Sequence, residues 1–266
     1  MTNVTMTNVS TTRVAFAIAM ISLIAVPADV RAAEWGSIQG RFVVDGEAPE
    51  PKPLVVTKDQ FCIDTKPIDR SVVVDENGNL ANAVVFLRVG RGKAIEAHPD
   101  YEATANEAVE LDNKGCEFVP HVTLVRTGQP FIIKNSDPIG HNTNAKLMRN
   151  GQFNVLIAEG QENKMTFSKG EPLPLPVNCN IHPFMEGHLL VQDHPYMAVS
   201  GEDGTFEIKN IPAGEHEFQF WHESGYVRNA DFEGGKTDSR GRADITVKAG
   251  GTLDLGDIQV SAAALK

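Results

Sequence analysis

The chain contains the run Asn178-Cys179-Asn180-Ile181-His182-Pro183-Phe184-Met185, which places a thiol, an imidazole and a thioether close together. The spacing is C-x2-H-x2-M. Two imidazoles, one thiolate and a weak axial thioether are the donors of blue-copper electron-transfer sites. Zinc accepts Cys and His, but it has little use for a thioether. The run therefore predicts a copper site that needs a second imidazole from elsewhere in the chain.

His141 is the candidate for that imidazole. It lies in a turn-rich segment that follows a strand-like stretch and reads Asn135-Ser136-Asp137-Pro138-Ile139-Gly140-His141-Asn142. Loops held by a rigid β scaffold are where functional groups concentrate. Taken singly, Cys179 is typical of an inert buried thiol, and Met185 is typical of a gap-filling core residue. Their combination with His182 and His141 instead indicates a metal site.

Residues from about 119 to 191 resemble a cupredoxin, and the loop from Cys179 to Met185 is similar to that of the amicyanins. The separation of 38 residues between His141 and Cys179 is also similar to the spacing in amicyanins and pseudoazurins. The resemblance implies a Greek-key β-sandwich that binds copper at one type 1 site. It implies the ligand set His141, Cys179, His182 and axial Met185.

Neighbours of these ligands also enter the resemblance. Asn142 matches a family position whose backbone N–H bonds the Cys sulfur and ties the two ligand loops together. Amicyanins commonly carry Pro two residues after the Cys, where this chain has Ile181. Because Pro lacks an N–H, Ile181 is expected to donate a further hydrogen bond to the sulfur. The family pattern also implies that His182 reaches the surface beside Pro183 and Phe184.

Strand signals are frequent outside this region, and helical signals are sparse. Strands are predicted near 36–44 and 81–89, and again near 205–222, 243–247 and 253–260, from alternating apolar residues bounded by turns. The run Asp203-Gly204-Thr205-Phe206, followed by Pro212-Ala213-Gly214, resembles carboxypeptidase regulatory-like, or transthyretin-like, β-sandwiches. The segment 234–242 is expected to be a polar, mobile loop.

These patterns predict an all-β fold class with a cupredoxin-like copper domain at 105–195. A second, small β-sandwich is predicted to be discontinuous, with its first strands at 34–104 and its remaining strands at 196–266. A separate short N-terminal domain is the alternative. The polar stretch 93–110 is compatible with one short helix or with a linker.

The N-terminal region is typical of a secretory signal peptide. Arg13 precedes an apolar run at 14–26, and small residues follow it up to Ala33. A membrane span needs about 20 apolar residues, so this run is short for an anchor, which is the alternative. We therefore predict a signal peptide at 1–33, cleavage near Ala33, export to the periplasm or beyond, and no membrane span in the mature form.

Charge and cysteine content narrow the function classes. The 266 residues include 35 acidic and 24 basic side chains, a formal net charge of −11 that disfavours binding to nucleic acid. The chain has three cysteines, and Cys179 is already a proposed ligand. Cys62 and Cys116 are therefore predicted to form a disulfide, which an oxidising compartment permits. The competing interpretation gives Cys116 and His121 a second metal.

The leading functional hypothesis is an electron carrier that shuttles copper between its oxidation states and exchanges electrons with redox protein partners. Since all coordination positions are filled, no enzyme activity is expected. The alternative is a copper-binding or interaction module in a cell-envelope assembly, without an electron-carrier role. The remaining imidazoles have no recognisable ligand spacing and are interpreted as surface or hydrogen-bonded groups: His98, His188, His194, His216 and His222.

Overall fold

The computed structural model describes residues 1–3, 35–90 and 92–265. The chain divides into two compact units, Met1–Ala32 and Ala33–Lys266, and all the elements below belong to the second unit. The predicted signal peptide at 1–33 and its cleavage site lie outside the described residues, apart from residues 1–3. Within the described part of the chain, no helix has the length and apolar character needed to cross a membrane.

The regular structure of the second unit is almost entirely β. The strands are β1 (Trp35–Asp45), β2 (Val84–Leu87), β3 (Val109–Lys114), β4 (Glu117–Val119), β5 (Val122–Arg126), β6 (Phe131–Asn135), β7 (His141–Lys146), β8 (Gln152–Ile157), β9 (Glu162–Met165), β10 (Leu175–Asn178), β11 (Glu186–Gln192), β12 (Met197–Val199), β13 (Thr205–Pro212), β14 (Gly214–His222), β15 (Gly225–Tyr226), β16 (Asp231–Phe232), β17 (Gly235–Lys236), β18 (Arg242–Val247) and β19 (Thr252–Ser261). The helices are short: α1 (Gln60–Thr65), α2 (Asp100–Ala103) and a 3-10 turn at Ala262–Ala264.

Strands β3 to β11 form one β-sandwich. One of its sheets has the order β4-β3-β6-β9, and the other has the order β5-β11-β10-β7-β8. Strand β6 shows the alternation that a half-buried strand requires, because Phe131 and Ile133 are buried while Ile132 and Lys134 are only partly covered. The two sheets enclose one apolar cluster, which includes Phe131 and Ile133 of β6 and Leu189 of β11.

The second β-sandwich combines strands from both ends of the unit. One sheet has the order β13-β1-β19, and the other has the order β12-β2-β14-β15 with β18 paired to β14. Strand β1 runs antiparallel to β13 and parallel to β19, while β2 lies between β12 and β14. The predicted all-β fold class, with a second discontinuous sandwich, is confirmed. The domain bounds and the resemblance to carboxypeptidase regulatory-like modules stay predictions.

A smaller apolar cluster joins the two sandwiches. Phe86 of β2 and Trp221 of β14 pack there with Val122 of β5 and Leu190 of β11. The contact brings the end of β14 close to the beginning of β5 and to β11. Residues that are far apart in the sequence therefore meet at this junction.

The segment 234–242 is mostly exposed, as its polar composition predicts, and its mobility stays a prediction. It contains β17, and Thr237 is buried. The Thr237 hydroxyl donates to the carbonyl of Val227 at 2.7 Å and accepts the N–H of Ala230 at 2.9 Å. A buried side chain with both bonds made anchors this part of the segment to the sandwich. The undecided stretch 93–110 contains α2 and the start of β3.

Candidate metal centre

The predicted ligands come from two neighbouring places at one end of the first sandwich. His141 is the first residue of β7, and Cys179 directly follows β10, which pairs with both β7 and β11. The loop from Cys179 to Met185 is closed by two backbone hydrogen bonds. The Cys179 N–H donates to the Met185 carbonyl at 3.2 Å, and the Met185 N–H donates to the His182 carbonyl at 2.9 Å.

The structure brings three of the four predicted ligands together around one point. His141 Nδ1 and His182 Nδ1 are 3.0 Å apart, and Cys179 Sγ is 3.8 Å from His182 Nδ1. The donor atoms of the three residues all lie within 4.8 Å of one another, and all three side chains are buried. Met185 is buried in the same apolar cluster as Cys179. The metal role of these four residues stays a prediction.

A carboxylate holds the outer nitrogen of each imidazole. His141 Nε2 lies 2.9 Å from Asp137 Oδ2, and His182 Nε2 lies 2.7 Å from Asp59 Oδ2. A carboxylate at one ring nitrogen fixes the proton there and leaves the other nitrogen as a lone-pair donor, which is the arrangement around metal-bound histidines. Two Nδ1 lone pairs that face each other at 3.0 Å repel unless a proton or a cation lies between them. The donor set therefore fits copper.

The two carboxylates are connected through a disulfide. Asp137 accepts the backbone N–H groups of Gly115 and Cys116 at 2.6 and 2.8 Å. Cys116 is bonded to Cys62 in α1, and Asp59 immediately precedes that helix. The predicted bridge is thus confirmed, and the interpretation of Cys116 as a metal ligand was wrong because its sulfur is already used.

Asp59 has an unusual backbone conformation, with φ 60° and ψ 111°. A non-glycine residue at positive φ costs of order 1–3 kcal/mol, and such residues cluster at functional sites. Here the conformation begins α1 and accompanies the contact between the carboxylate and His182. No local sequence pattern points to this partner, since 123 residues separate the two positions.

Backbone N–H groups from both ligand segments point at the Cys179 sulfur. The N–H of Asn142 lies 3.5 Å from Sγ, as the resemblance implies, and the N–H of His182 lies 3.4 Å from it. Ile181 was expected to supply the second bond. Its N–H donates to the side-chain oxygen of Asn142 at 3.1 Å, and it also helps to lower the pKa of Cys179 as a hydrogen bond to the sulfur.

These contacts shift the pKa values of the metal-free site. Burial lowers the pKa of His141, but hydrogen bonds to Asp137 and Cys179 outweigh it and raise that pKa to about 9. Burial raises the pKa of Cys179, while the His141 bond and the backbone N–H groups outweigh it and lower that pKa. Both shifts act in the same direction, since they ease loss of the Cys179 proton and hold the His141 proton more tightly. Copper would take the place of the His141 proton.

The expected exposure of His182 is not seen. Its side chain is 1% exposed, and the Asp59 carboxylate covers its outer nitrogen. Pro183 and Phe184 flank it, exposed and half-buried respectively. The implied bare imidazole edge was wrong for this chain because the segment before α1 folds over the ligand loop.

A second group of donors lies at the junction of the two sandwiches. His121 lies between β4 and β5, His188 lies in β11, and Glu223 follows β14. Their donor atoms fall within 4.8 Å of one another. The sequence pattern relates His121 only to Cys116, and it predicts a surface or hydrogen-bonded imidazole at His188. Only the packing of β14 against β5 and β11 brings the three together.

Comparison with known proteins gives likenesses among solved structures alone. No family model matches the chain, and no curated protein matches it. An oxidised proline-to-alanine mutant of amicyanin aligns at 22% identity over 32% of this chain and 82% of that chain, with a TM-score of 0.29. A reduced Cu(I) proline-to-glycine mutant of amicyanin at pH 4 aligns at 20% identity over 42% and 99% of the chains, with a TM-score of 0.29.

An enzyme is also among the similar structures. The Cu-containing nitrite reductase (NirK) from Thermus scotoductus SA-01 aligns at 22% identity over 40% of this chain, with a TM-score of 0.29. The alignment spans 25% of that chain. TM-scores at this level do not support any functional assignment for the present protein.

Proposed function

We propose that this chain binds one copper ion at a type 1 site and carries electrons between redox protein partners. His141 Nδ1, Cys179 Sγ and His182 Nδ1 would hold the ion, with the Met185 thioether as a weaker fourth donor. The observation that supports the proposal is the convergence of both Nδ1 atoms and the sulfur on one buried point, with both Nε2 atoms held by carboxylates. This donor set is that of blue-copper electron-transfer sites.

The residues around the ligands would hold them in place before and after each electron transfer. Copper, when bound, would supply the Cu(II)/Cu(I) couple. Asp137 and Asp59 orient the imidazoles, and the N–H groups of Asn142 and His182 stabilise charge on the sulfur. Burial of the ligands excludes water. Because the proposed ligand set leaves no open position, we assign this site no catalytic reaction.

A second candidate function is a copper-binding or interaction module that does not carry electrons. One observation favours it, namely that His182 is buried beneath Asp59 and offers a partner no bare imidazole edge. In this case the second sandwich, which we assign to the carboxypeptidase regulatory-like modules from its sequence pattern, would attach the copper domain to a larger assembly.

The partners and the location are part of the proposal. Export through the predicted signal peptide would place the protein among redox proteins outside the cytoplasm. The acidic composition, with a formal net charge of −11, favours a partner with a basic surface. Nucleic acid is not an expected partner for the same reason.

Electron self-exchange distinguishes the two candidates. We expect rapid exchange between the Cu(I) and Cu(II) forms, seen as broadening of NMR lines when a small fraction of the protein is oxidised, and a reversible one-electron wave on an electrode. Slow exchange together with an irreversible wave, in protein that retains its copper, would favour the module without a carrier role.

A further inference from the structure

We propose that His121, His188 and Glu223 form a second metal site, which takes a divalent transition-metal ion such as Zn²⁺. None of the three is a proposed copper ligand. Their side chains are 11–13% exposed, and one donor atom from each lies within 4.8 Å of the other two. The donors are two imidazoles and one carboxylate, a set that Zn²⁺ accepts.

One carboxylate oxygen lies beside both imidazoles. Glu223 Oε2 is hydrogen-bonded to His121 Nε2 and lies 3.7 Å from His188 Nδ1. His188 Nδ1 is buried and has no hydrogen-bond partner among the described residues. A buried polar atom left unpaired destabilises the folded chain. A cation placed between the three donors would use this lone pair and would replace the His121 proton.

Each donor lies in a strand or directly beside one. His188 lies in β11, and its backbone N–H donates to the carbonyl of His121 at 2.8 Å, which ties the two segments together. The His188 ring packs against Trp221 of β14, with 5.0 Å between ring centroids. Glu223 lies in the tight turn that joins β14 to β15. The site therefore needs little rearrangement to bind an ion.

A cavity of about 430 Å³ opens beside this group. His121 and Glu223 line it, together with three further carboxylates and one guanidinium: Asp69, Glu117, Glu186 and Arg70. The excess of negative charge favours a cation there. Three protein donors with an open side resemble zinc sites that keep one position for water or substrate. Met185 lines the same cavity, so the second site would be adjacent to the copper loop.

His222 is a neighbour that does not complete the set. Its ring is buried, and its Nδ1 accepts the backbone N–H of Ser224 at 3.2 Å. In the neutral ring the proton is then on Nε2, which leaves no lone pair for a metal. The fourth position is thus left to the cavity.

The test is a metal titration of the full mature protein after its copper site has been filled. Isothermal titration calorimetry with Zn²⁺ is expected to show one further equivalent, with the blue absorption unchanged. Glu223→Gln and His188→Gln should each raise the Zn²⁺ dissociation constant by about 100-fold or more, since loss of even an outer-sphere partner costs about 10- to 100-fold. His216→Gln is the matched control and should bind as the parent does, because its Nε2 contacts the Pro212 carbonyl in another part of the fold.

Zinc binding that persists at full strength in both cluster variants would overturn the proposal, as would the absence of a further equivalent in the parent. If a variant does not fold, the parent protein is tested instead, with Co²⁺ in place of Zn²⁺ as a spectroscopic probe. Weak ligand-field bands without a sulfur-to-cobalt band support imidazole and carboxylate ligation, and a sulfur band or no bands would contradict it. Repeating the titration on Cys179→Ser separates the two proposals, because the second site does not depend on copper.

Discussion

Asp59 and Asp137 decide which nitrogen each imidazole offers to a metal. The loop motif identifies His182 as a donor, but it does not say which ring nitrogen is available. With Nε2 bonded to carboxylates at 2.7 and 2.9 Å, both rings present Nδ1 to the Cys179 sulfur. The tautomers are therefore set by residues outside the motif, and their removal should be measurable.

Substitution of Asp59 tests this role. Asp59→Ala removes the acceptor from His182 Nε2, so we expect copper affinity to fall about 10- to 100-fold, the usual cost of losing an outer-sphere partner. Competition with a copper chelator at constant pH measures the change. Asp64→Ala in the same helix is the control, since its side chain is exposed and bonds only Gln60 Nε2 among the described residues. Equal affinities in the two variants would mean that Asp59 does not orient the ligand.

Helix α1 and the Cys62–Cys116 disulfide link the two carboxylates into one element. Asp59 begins the helix, Cys62 lies within it, and Cys116 donates its N–H to Asp137. The bridge was predictable from the cysteine count once Cys179 is taken as a copper ligand. Its position over the ligand loop was not, because no local pattern relates 59–65 to the loop at 179–185.

Removal of the bridge should lower stability without abolishing colour. A disulfide with a sequence separation of 54 contributes about 4 kcal/mol on the chain-entropy model, so Cys62→Ser/Cys116→Ser should lose roughly that much of its free energy of unfolding. Urea denaturation measures it. In the denatured, metal-free parent, one thiol should titrate before reduction and three afterwards. Three thiols before reduction would contradict the bridge.

For the strands as well, the sequence predicts what depends on neighbouring residues and does not predict what depends on distant ones. Alternating apolar residues predicted β1, β13, β14, β18 and β19, because a half-buried strand carries its burial pattern in its own sequence. The contact of His121 and His188 with Glu223 depends on how two sandwiches pack, which no single segment encodes. At 234–242 the polar composition did not reveal that Thr237 makes its hydrogen bonds inside the protein rather than to water.

The whole molecule contains buried imidazoles that should make it sensitive to acid. Burial lowers the pKa values of His188, His194 and His222 to about 4 each. Between pH 4 and 6.5 the unfolded chain binds protons that the folded chain does not, so stability is full above pH 6.5 and is lost as pH falls toward 4. A shift of this size corresponds to about 3 kcal/mol for each group as an upper bound.

His194 is the group to test, because it lies outside both donor clusters. We expect the metal-free parent to lose free energy of unfolding steadily from pH 6.5 to 4.5 in urea titrations, and His194→Gln to show a shallower loss. Parallel slopes for the two proteins would show that His194 does not titrate on unfolding.

The assignment of copper to the buried donors depends on the Cys179 thiolate, which should be visible when Cu(II) is bound. The measurement is the absorption spectrum of the purified mature protein after addition of one equivalent of Cu(II), with Cys179→Ser as the control. We expect an intense blue colour from sulfur-to-copper charge transfer in the parent and its loss in the variant. A colourless Cu(II) complex, or the same colour in Cys179→Ser, would contradict the assignment.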